Sequence, residues 1–126
     1  MSVKIEMSKA CIKKLEKMNK IRLQIARKYS TELNVENKMP FSIDCSYHLF
    51  WIRVKNREEL MKKMYKEGIE TGIHYKPVHL MKYYSGSVNL KNCEKIWKEM
   101  VTIPMHANLS TLDVERIIYN INRFAK

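Results

Sequence analysis

The feature that most constrains how this chain folds is an apolar stripe along its N-terminal quarter. The apolar positions recur every three or four residues, which is the spacing of one face of an α-helix. They are Cys11, Leu15, Met18, Ile21, Ile25, Tyr29 and Leu33. A helix over residues 3–34 would be about 45 Å long, which overshoots a domain built from 126 residues. The stripe therefore predicts a long helix that needs a second surface to lie against.

The rest of the chain alternates between strand and helix patterns. Strands are predicted over residues 47–54, 71–75 and 101–105, where β-branched and aromatic residues cluster. Helical stripes follow Asn56, cover residues 93–100 and run from Val114 to Phe124. Both faces of the first strand are apolar, which favours a central position. The predicted fold is α/β (α+β), a small three-stranded sheet with packed helices after one long N-terminal helix.

Local signals predict where the helices begin and end. Asn56 with Glu59, and Ser110 with Asp113, match the capping-box spacing. Gly68 fits the position just past a helix C-terminus. These signals place one helix between Asn56 and Gly68 and another after Ser110.

Polar chemistry is concentrated between Gly68 and Gly86, a stretch that holds all three glycines of the chain. Pro77 stops the strand over residues 71–75, so the chain leaves the sheet there. Strand ends and the loops after them are where rigid scaffolds present binding groups. We therefore predict a binding site on the residues at this point. They are His74, Tyr75, Lys76 and His79.

Composition limits the class of protein. Apolar residues make up 45% and charged residues 29% of the chain, as in a globular protein. No window approaches the roughly 20 apolar residues of a membrane span, and we expect a cytoplasmic protein without a membrane partner. The net charge of +11 would suit polyanions, but no helix-turn-helix or other nucleic-acid signature is present. Direct nucleic-acid binding is therefore a minor interpretation.

The cysteines and histidines do not predict a metal site. Three widely spaced cysteines without a CxxC pair argue against disulfides and zinc, and buried free thiols are expected. The spacing of His74 and His79, interrupted by Pro77, is not typical of zinc ligands. His48 and His106 are interpreted as strand-end or loop-end residues with ordinary hydrogen bonds.

The segment from Gly68 to Leu80, GIETGIHYKPVHL, with Tyr83 and Tyr84 after it, resembles the small-domain signature of the DegT-type sugar aminotransferases. These are pyridoxal-phosphate (PLP) enzymes of the fold type I aspartate aminotransferase superfamily, which aminate keto sugars carried on nucleotides. Further similar runs occur in the order that the family shows. They lie at residues 15–18, 22–29, 46–54, 57–60, 102–106 and 109–114.

The resemblance implies two parts of a larger enzyme. Residues 1–38 would be the interdomain helix and linker, and residues 39–126 the small C-terminal domain. The family's Schiff-base lysine lies in a large domain upstream, and no lysine here matches it. PLP is thus implied for the complete enzyme and not for this chain alone, which we expect to be inactive. We also expect a partner that supplies the large domain, and a homo-oligomer.

The resemblance also gives the predicted site a role. His74, Tyr75, Pro77 and His79 would line the mouth of the active site and touch the nucleotide sugar, while Lys76 adds a charge near a diphosphate. The pathway implied is the synthesis of amino sugars for surface polysaccharides. Two alternatives stay open. In one, one of the two histidines only satisfies backbone groups under the loop; in the other, the chain is a non-catalytic basic module that binds nucleic acid or another polyanion.

Overall fold

Helices pack on a two-stranded antiparallel sheet in the part of the chain that the structure describes. The computed structural model covers residues 3–84, 86 and 88–125. In chain order the elements are α1 (Val3–Glu32), β1 (Phe50–Arg53), α2 (Arg57–Lys66), a 3-10 turn (Val78–Leu80), α3 (Lys91–Glu99), β2 (Met100–Ile103) and α4 (Thr111–Phe124).

The predicted long helix is confirmed, and only its C-terminal half meets the core. Ile25, Ala26 and Tyr29 of α1 are buried. The Tyr29 hydroxyl donates to the carbonyl oxygen of Pro104 at 2.8 Å, which ties α1 to the end of β2. The N-terminal half projects from the domain with its apolar side chains exposed. These are Val3, Ile5, Met7, Ile12, Leu15 and Met18.

The predicted three-stranded sheet is wrong in its strand number. β1 pairs with β2 antiparallel, from Phe50 opposite Ile103 to Arg53 opposite Met100. The segment predicted as the middle strand, residues 71–75, forms one isolated bridge in which Gly72 lies opposite Thr102. β2 has four residues between α3 and Pro104. Because Pro104 has no N–H to donate, the ladder beside Gly72 stops there.

β1 has backbone hydrogen-bond partners on both of its edges, but it is shorter than predicted and buries one face. On the side away from β2, the N–H of Met39 donates to Trp51 at 2.9 Å. Phe50 and Ile52 are buried, whereas Trp51 is half-buried. The prediction of a strand from residue 47 is wrong because Tyr47 has a φ of 49°, which no strand residue adopts.

The helix ends follow the local signals except at one cap. Ser110 and Asp113 form the predicted capping box of α4. Gly68 adopts a φ of 72° just past α2, where a residue with a Cβ would be strained. The predicted capping box at Asn56 is wrong, since its side chain makes no cap hydrogen bond. Met100, predicted at the end of the third helix, opens β2 instead.

The core lies between the sheet and the helices. It is built from buried apolar residues of α1, β1, α2, β2 and α4: Ile25, Tyr29, Phe50, Ile52, Leu60, Met64, Val101, Ile103, Val114, Ile117, Ile118 and Ile121. All three cysteines are free. They were expected to be buried, but Cys11 and Cys93 lie on the exposed surfaces of α1 and α3, and Cys45 is half-buried. No helix among the described residues is long and apolar enough to cross a membrane.

Candidate functional site

A cleft of about 640 Å³ opens where β2 ends. Its walls are the turn after α2, the segment that follows β2, the start of α4 and the two residues before β1. The lining residues are His48, Leu49, residues 68–74, residues 102–106, Leu109, Asp113, Arg116 and Ile117. The cleft therefore gathers polar groups from four separate parts of the sequence.

His74 is held in this cleft by contacts on several sides of its ring. Its Nδ1 lies 2.7 Å from the hydroxyl oxygen of Thr102, and Thr102 is 4% exposed. The ring of Tyr75 meets the imidazole edge-on, with 4.9 Å between the ring centroids. With Nδ1 engaged, the remaining hydrogen-bonding position of the imidazole is Nε2.

Gly72 leaves the space that the His74 ring occupies. A Cβ on Gly72 would lie 2.5 Å from Cε1 and 3.0 Å from Nδ1 of His74, and 3.0 Å from the hydroxyl oxygen of Thr102. The backbone of Gly72 also exchanges two hydrogen bonds with Thr102, of 2.9 and 2.8 Å. Glycine at this position is what lets the imidazole lie against the chain and still reach Thr102.

A cation and an anion from α4 also line the cleft. The guanidinium of Arg116 donates to the carbonyl oxygen of Glu67 at the end of α2. Hydrogen bonds from the hydroxyl and the backbone N–H of Ser110 hold the pKa of Asp113 below its ordinary value of 3.8. Asp113 is therefore ionised at neutral pH, and both charges are fixed in place by the ends of helices.

The other predicted site residues lie on the loop that leaves the cleft. Tyr75 and Lys76 are exposed and Pro77 is half-buried. His79 lies in the 3-10 turn, where its Nε2 is 3.2 Å from a carboxylate oxygen of Glu94 in α3. Of the predicted site residues, His74 alone lines the cleft. Substrate contact by the other four remains a prediction.

The sequence interpretation missed two histidines of the cleft. His48 and His106 line it and are exposed there. His48 precedes β1 and His106 follows β2, and Phe50 lies opposite Ile103. In an antiparallel pair, the start of one strand and the end of the other meet at the same edge. That register is seen in the structure and could not be read from the sequence.

The described residues contain no group of three or more histidine, cysteine or acidic side chains arranged to hold a metal ion. The imidazoles of the cleft can donate and accept hydrogen bonds.

Solved aminotransferases share this fold. TlmJ, an aminotransferase from Streptoalloteichus hindustanus, is 26% identical with a TM-score of 0.83, over 91% of this chain and 34% of that chain. A DegT DnrJ EryC1 StrS aminotransferase from Brucella abortus is 29% identical with a TM-score of 0.82, over 90% of this chain and 33% of that one. DesV from S. venezuelae, solved with a ketimine intermediate, is 25% identical with a TM-score of 0.82, over 94% and 34%.

The sequence model of the DegT/DnrJ/EryC1/StrS aminotransferase family matches residues 5–122. The chain belongs to this family. It spans about a third of the length of the solved structures that it matches.

The cleft by itself does not fit PLP. Such a site needs a lysine amine to form the imine and a carboxylate to keep the pyridine nitrogen protonated. Among the described residues that line the cleft there is no lysine. The histidines, Arg116 and Asp113 can exchange hydrogen bonds with a polar ligand, but they offer no amine that would anchor the cofactor.

Proposed function

We propose that this chain is the C-terminal part of a PLP-dependent aminotransferase that acts on keto sugars attached to nucleotides. Residues 1–38 are its interdomain helix and linker, and residues 39–126 its small domain. A large domain, supplied by another segment or a second chain, binds PLP and carries the Schiff-base lysine. The proposal rests on the family match over residues 5–122, together with the finding that the chain spans about a third of the length of the solved relatives.

The exposed half of α1 supports a missing domain. Met7, Leu15 and Met18 are 64%, 48% and 40% exposed. They continue, in steps of three and four residues, the helix face that buries Ile25 and Tyr29. An apolar stripe that is buried over one half of its length and exposed over the other is typical of a surface that another domain covers.

The cleft supports a role in holding the substrate. His74, His48 and His106 line it, and Arg116 adds a positive charge to its lining. Imidazole and guanidinium groups donate hydrogen bonds to hydroxyl and phosphate oxygens, which are the polar atoms of a nucleotide sugar. In this proposal the small domain closes over the active site with the cleft facing the sugar.

The loop beyond the cleft extends the surface offered to the nucleotide. Tyr75 and Lys76 are exposed directly after His74, and Pro77 and His79 carry the chain on to α3. Contact by these residues would place the ammonium group of Lys76 near the diphosphate.

The proposal is tested by titrating the isotope-labelled chain with UDP-glucose, and with UDP as the matched control, in two-dimensional ¹H–¹⁵N NMR. We expect shifts over residues 69–74 and 102–106 that are larger with the sugar nucleotide. His74→Gln should reduce them, whereas Tyr119→Phe, on an exposed residue of α4 away from the cleft, should not. An identical response to UDP and UDP-glucose would contradict the proposal.

A basic binding module is the alternative that the charge of +11 favours. Its signature in the same titration would be shifts on the lysines of α1 with a DNA oligomer, and an affinity that falls steeply with added salt. The aminotransferase proposal predicts that the cleft responds to UDP-glucose at low and moderate salt alike.

A further inference from the structure

The hydroxyl group of Thr102 is buried beside His74 with a single partner. Thr102 is 4% exposed, and its backbone is paired in both directions with Gly72. Within the described part of the chain, its hydroxyl makes one hydrogen bond, the 2.7 Å contact with Nδ1 of His74. Pairing with Gly72 therefore fixes the backbone of Thr102, and the imidazole of His74 is the hydrogen-bond partner of its hydroxyl group.

The direction of this hydrogen bond follows from where the protons can go. A hydroxyl has one proton to donate, whereas an imidazole nitrogen either carries a proton or accepts one. If Nδ1 carried the proton and donated to Thr102, the buried hydroxyl proton would be left without an acceptor, which is costly. If the hydroxyl donates to Nδ1, its proton is satisfied and the proton of the neutral imidazole lies on Nε2.

We propose that Thr102 is a positioning residue that fixes which tautomer the neutral form of the His74 imidazole adopts, the one with the proton on Nε2. The ring then presents an N–H donor to the cleft, where it binds an acceptor oxygen of the substrate. Gly72 and Tyr75 keep the ring in place, since one leaves it room against the backbone and the other packs against its edge. The identity of the ligand rests on the proposed function, whereas the position of the proton does not.

The position of the proton is measured by ¹⁵N NMR of the histidine side chains in the full chain. We expect a protonated-type signal at Nε2 and an unprotonated-type signal at Nδ1 of His74, assigned by their loss in His74→Gln. Thr102→Ser keeps a hydroxyl and should retain this pattern. Thr102→Val has nearly the same shape without the hydroxyl and should shift His74 to a mixture of tautomers.

His79 is the internal control, because its partner is Glu94 and its signals should be the same in all Thr102 variants. A proton on Nδ1 of His74 in the unsubstituted chain would overturn the proposal. So would a pattern in Thr102→Val that matches the unsubstituted chain when the amide spectrum shows that the variant is folded.

The consequence for binding is measured with the same variants and UDP-glucose. Thr102→Val should weaken the affinity by about twofold, because about half of the His74 rings would then lack the Nε2 proton, and Thr102→Ser should restore it. A loss confined to UDP-glucose would place the acceptor oxygen on the sugar, as the proposed function expects, and an equal loss with UDP would contradict that orientation of the cleft. If the Nε2 proton is found but UDP-glucose does not bind, the proposed function fails and the assignment of the proton stands. If UDP-glucose binds equally well to Thr102→Val, the positioning role is overturned.

Discussion

Substituting Gly72 with alanine should destabilise the chain through the His74 ring. The new methyl group would lie 2.5 Å from Cε1 of His74 and 3.0 Å from the hydroxyl oxygen of Thr102, so the imidazole has to move away. That movement breaks the hydrogen bond to Thr102 and leaves a buried hydroxyl without a partner, at a cost of about 1–3 kcal/mol. The loss of unfolded-state freedom on replacing glycine offsets about 0.4–1 kcal/mol. We expect a net loss of about 1–2 kcal/mol in the free energy of unfolding.

Urea unfolding at equilibrium, followed by circular dichroism, measures this change. Gly86→Ala is the matched control, because a Cβ there meets nothing within 4 Å. It should leave the free energy of unfolding equal or raise it by up to about 1 kcal/mol. The two substitutions are chemically the same, and they are expected to differ in sign.

The His74→Ala background isolates the contact. With the ring removed, only the 3.0 Å approach to the Thr102 hydroxyl remains. Gly72→Ala should then destabilise the chain by about 1–2 kcal/mol less, which is the coupling that the double-mutant cycle measures. If Gly72→Ala is as stable as the unsubstituted chain, or if it is equally destabilising with and without His74, the reasoning about the imidazole is refuted.

Three further predictions concern α1 and α4. Tyr29→Phe removes the buried hydroxyl that donates to the carbonyl oxygen after β2, and urea unfolding should show a loss of about 1–2 kcal/mol; no change would mean that water satisfies this carbonyl. Ile25→Ala should cost about 2–4 kcal/mol while Leu15→Ala costs less than about 0.5 kcal/mol, because the first is buried and the second is 48% exposed; equal effects would contradict the exposure of the first half of α1. Ser110→Ala should cost about 1 kcal/mol. Its hydrogen bonds lower the pKa of Asp113, so the stability they add is present above pH 3.8 and disappears as the pH falls through the lowered pKa. Unfolding curves of Asp113→Asn and the unsubstituted chain should therefore converge in acid, and a difference that grows there would refute this sign.

Features set by neighbours along the chain could be predicted from the sequence. The apolar stripe of α1 and the capping box of Ser110 and Asp113 depend on residues three or four positions apart. Gly68 follows shortly after Lys66, the last residue of α2, so this signal is local as well. Asn56 is the exception, since its φ of −107° and ψ of 57° lie outside the β region that a capping side chain needs.

Features set by distant contacts could not be predicted in the same way. The prediction of a third strand was wrong because β2 is short and ends before Pro104. That outcome depends on how β2 pairs with Gly72. His48 and His106 were missed because strand direction and register were not readable from the sequence. His74 was predicted because it lies in the motif itself, whereas its partner Thr102 is 28 residues away.

In the proposed function, this chain is one part of an aminotransferase whose cofactor is bound by the large domain. The most direct measurement is to mix the full chain with PLP, reduce with borohydride and locate the labelled lysines by peptide mass analysis. We expect a low level of labelling on many exposed lysines, with no lysine labelled stoichiometrically. We also expect no imine absorbance that UDP-glucose alters. A single lysine labelled in a one-to-one ratio would contradict the account, because the chain would then anchor the cofactor itself.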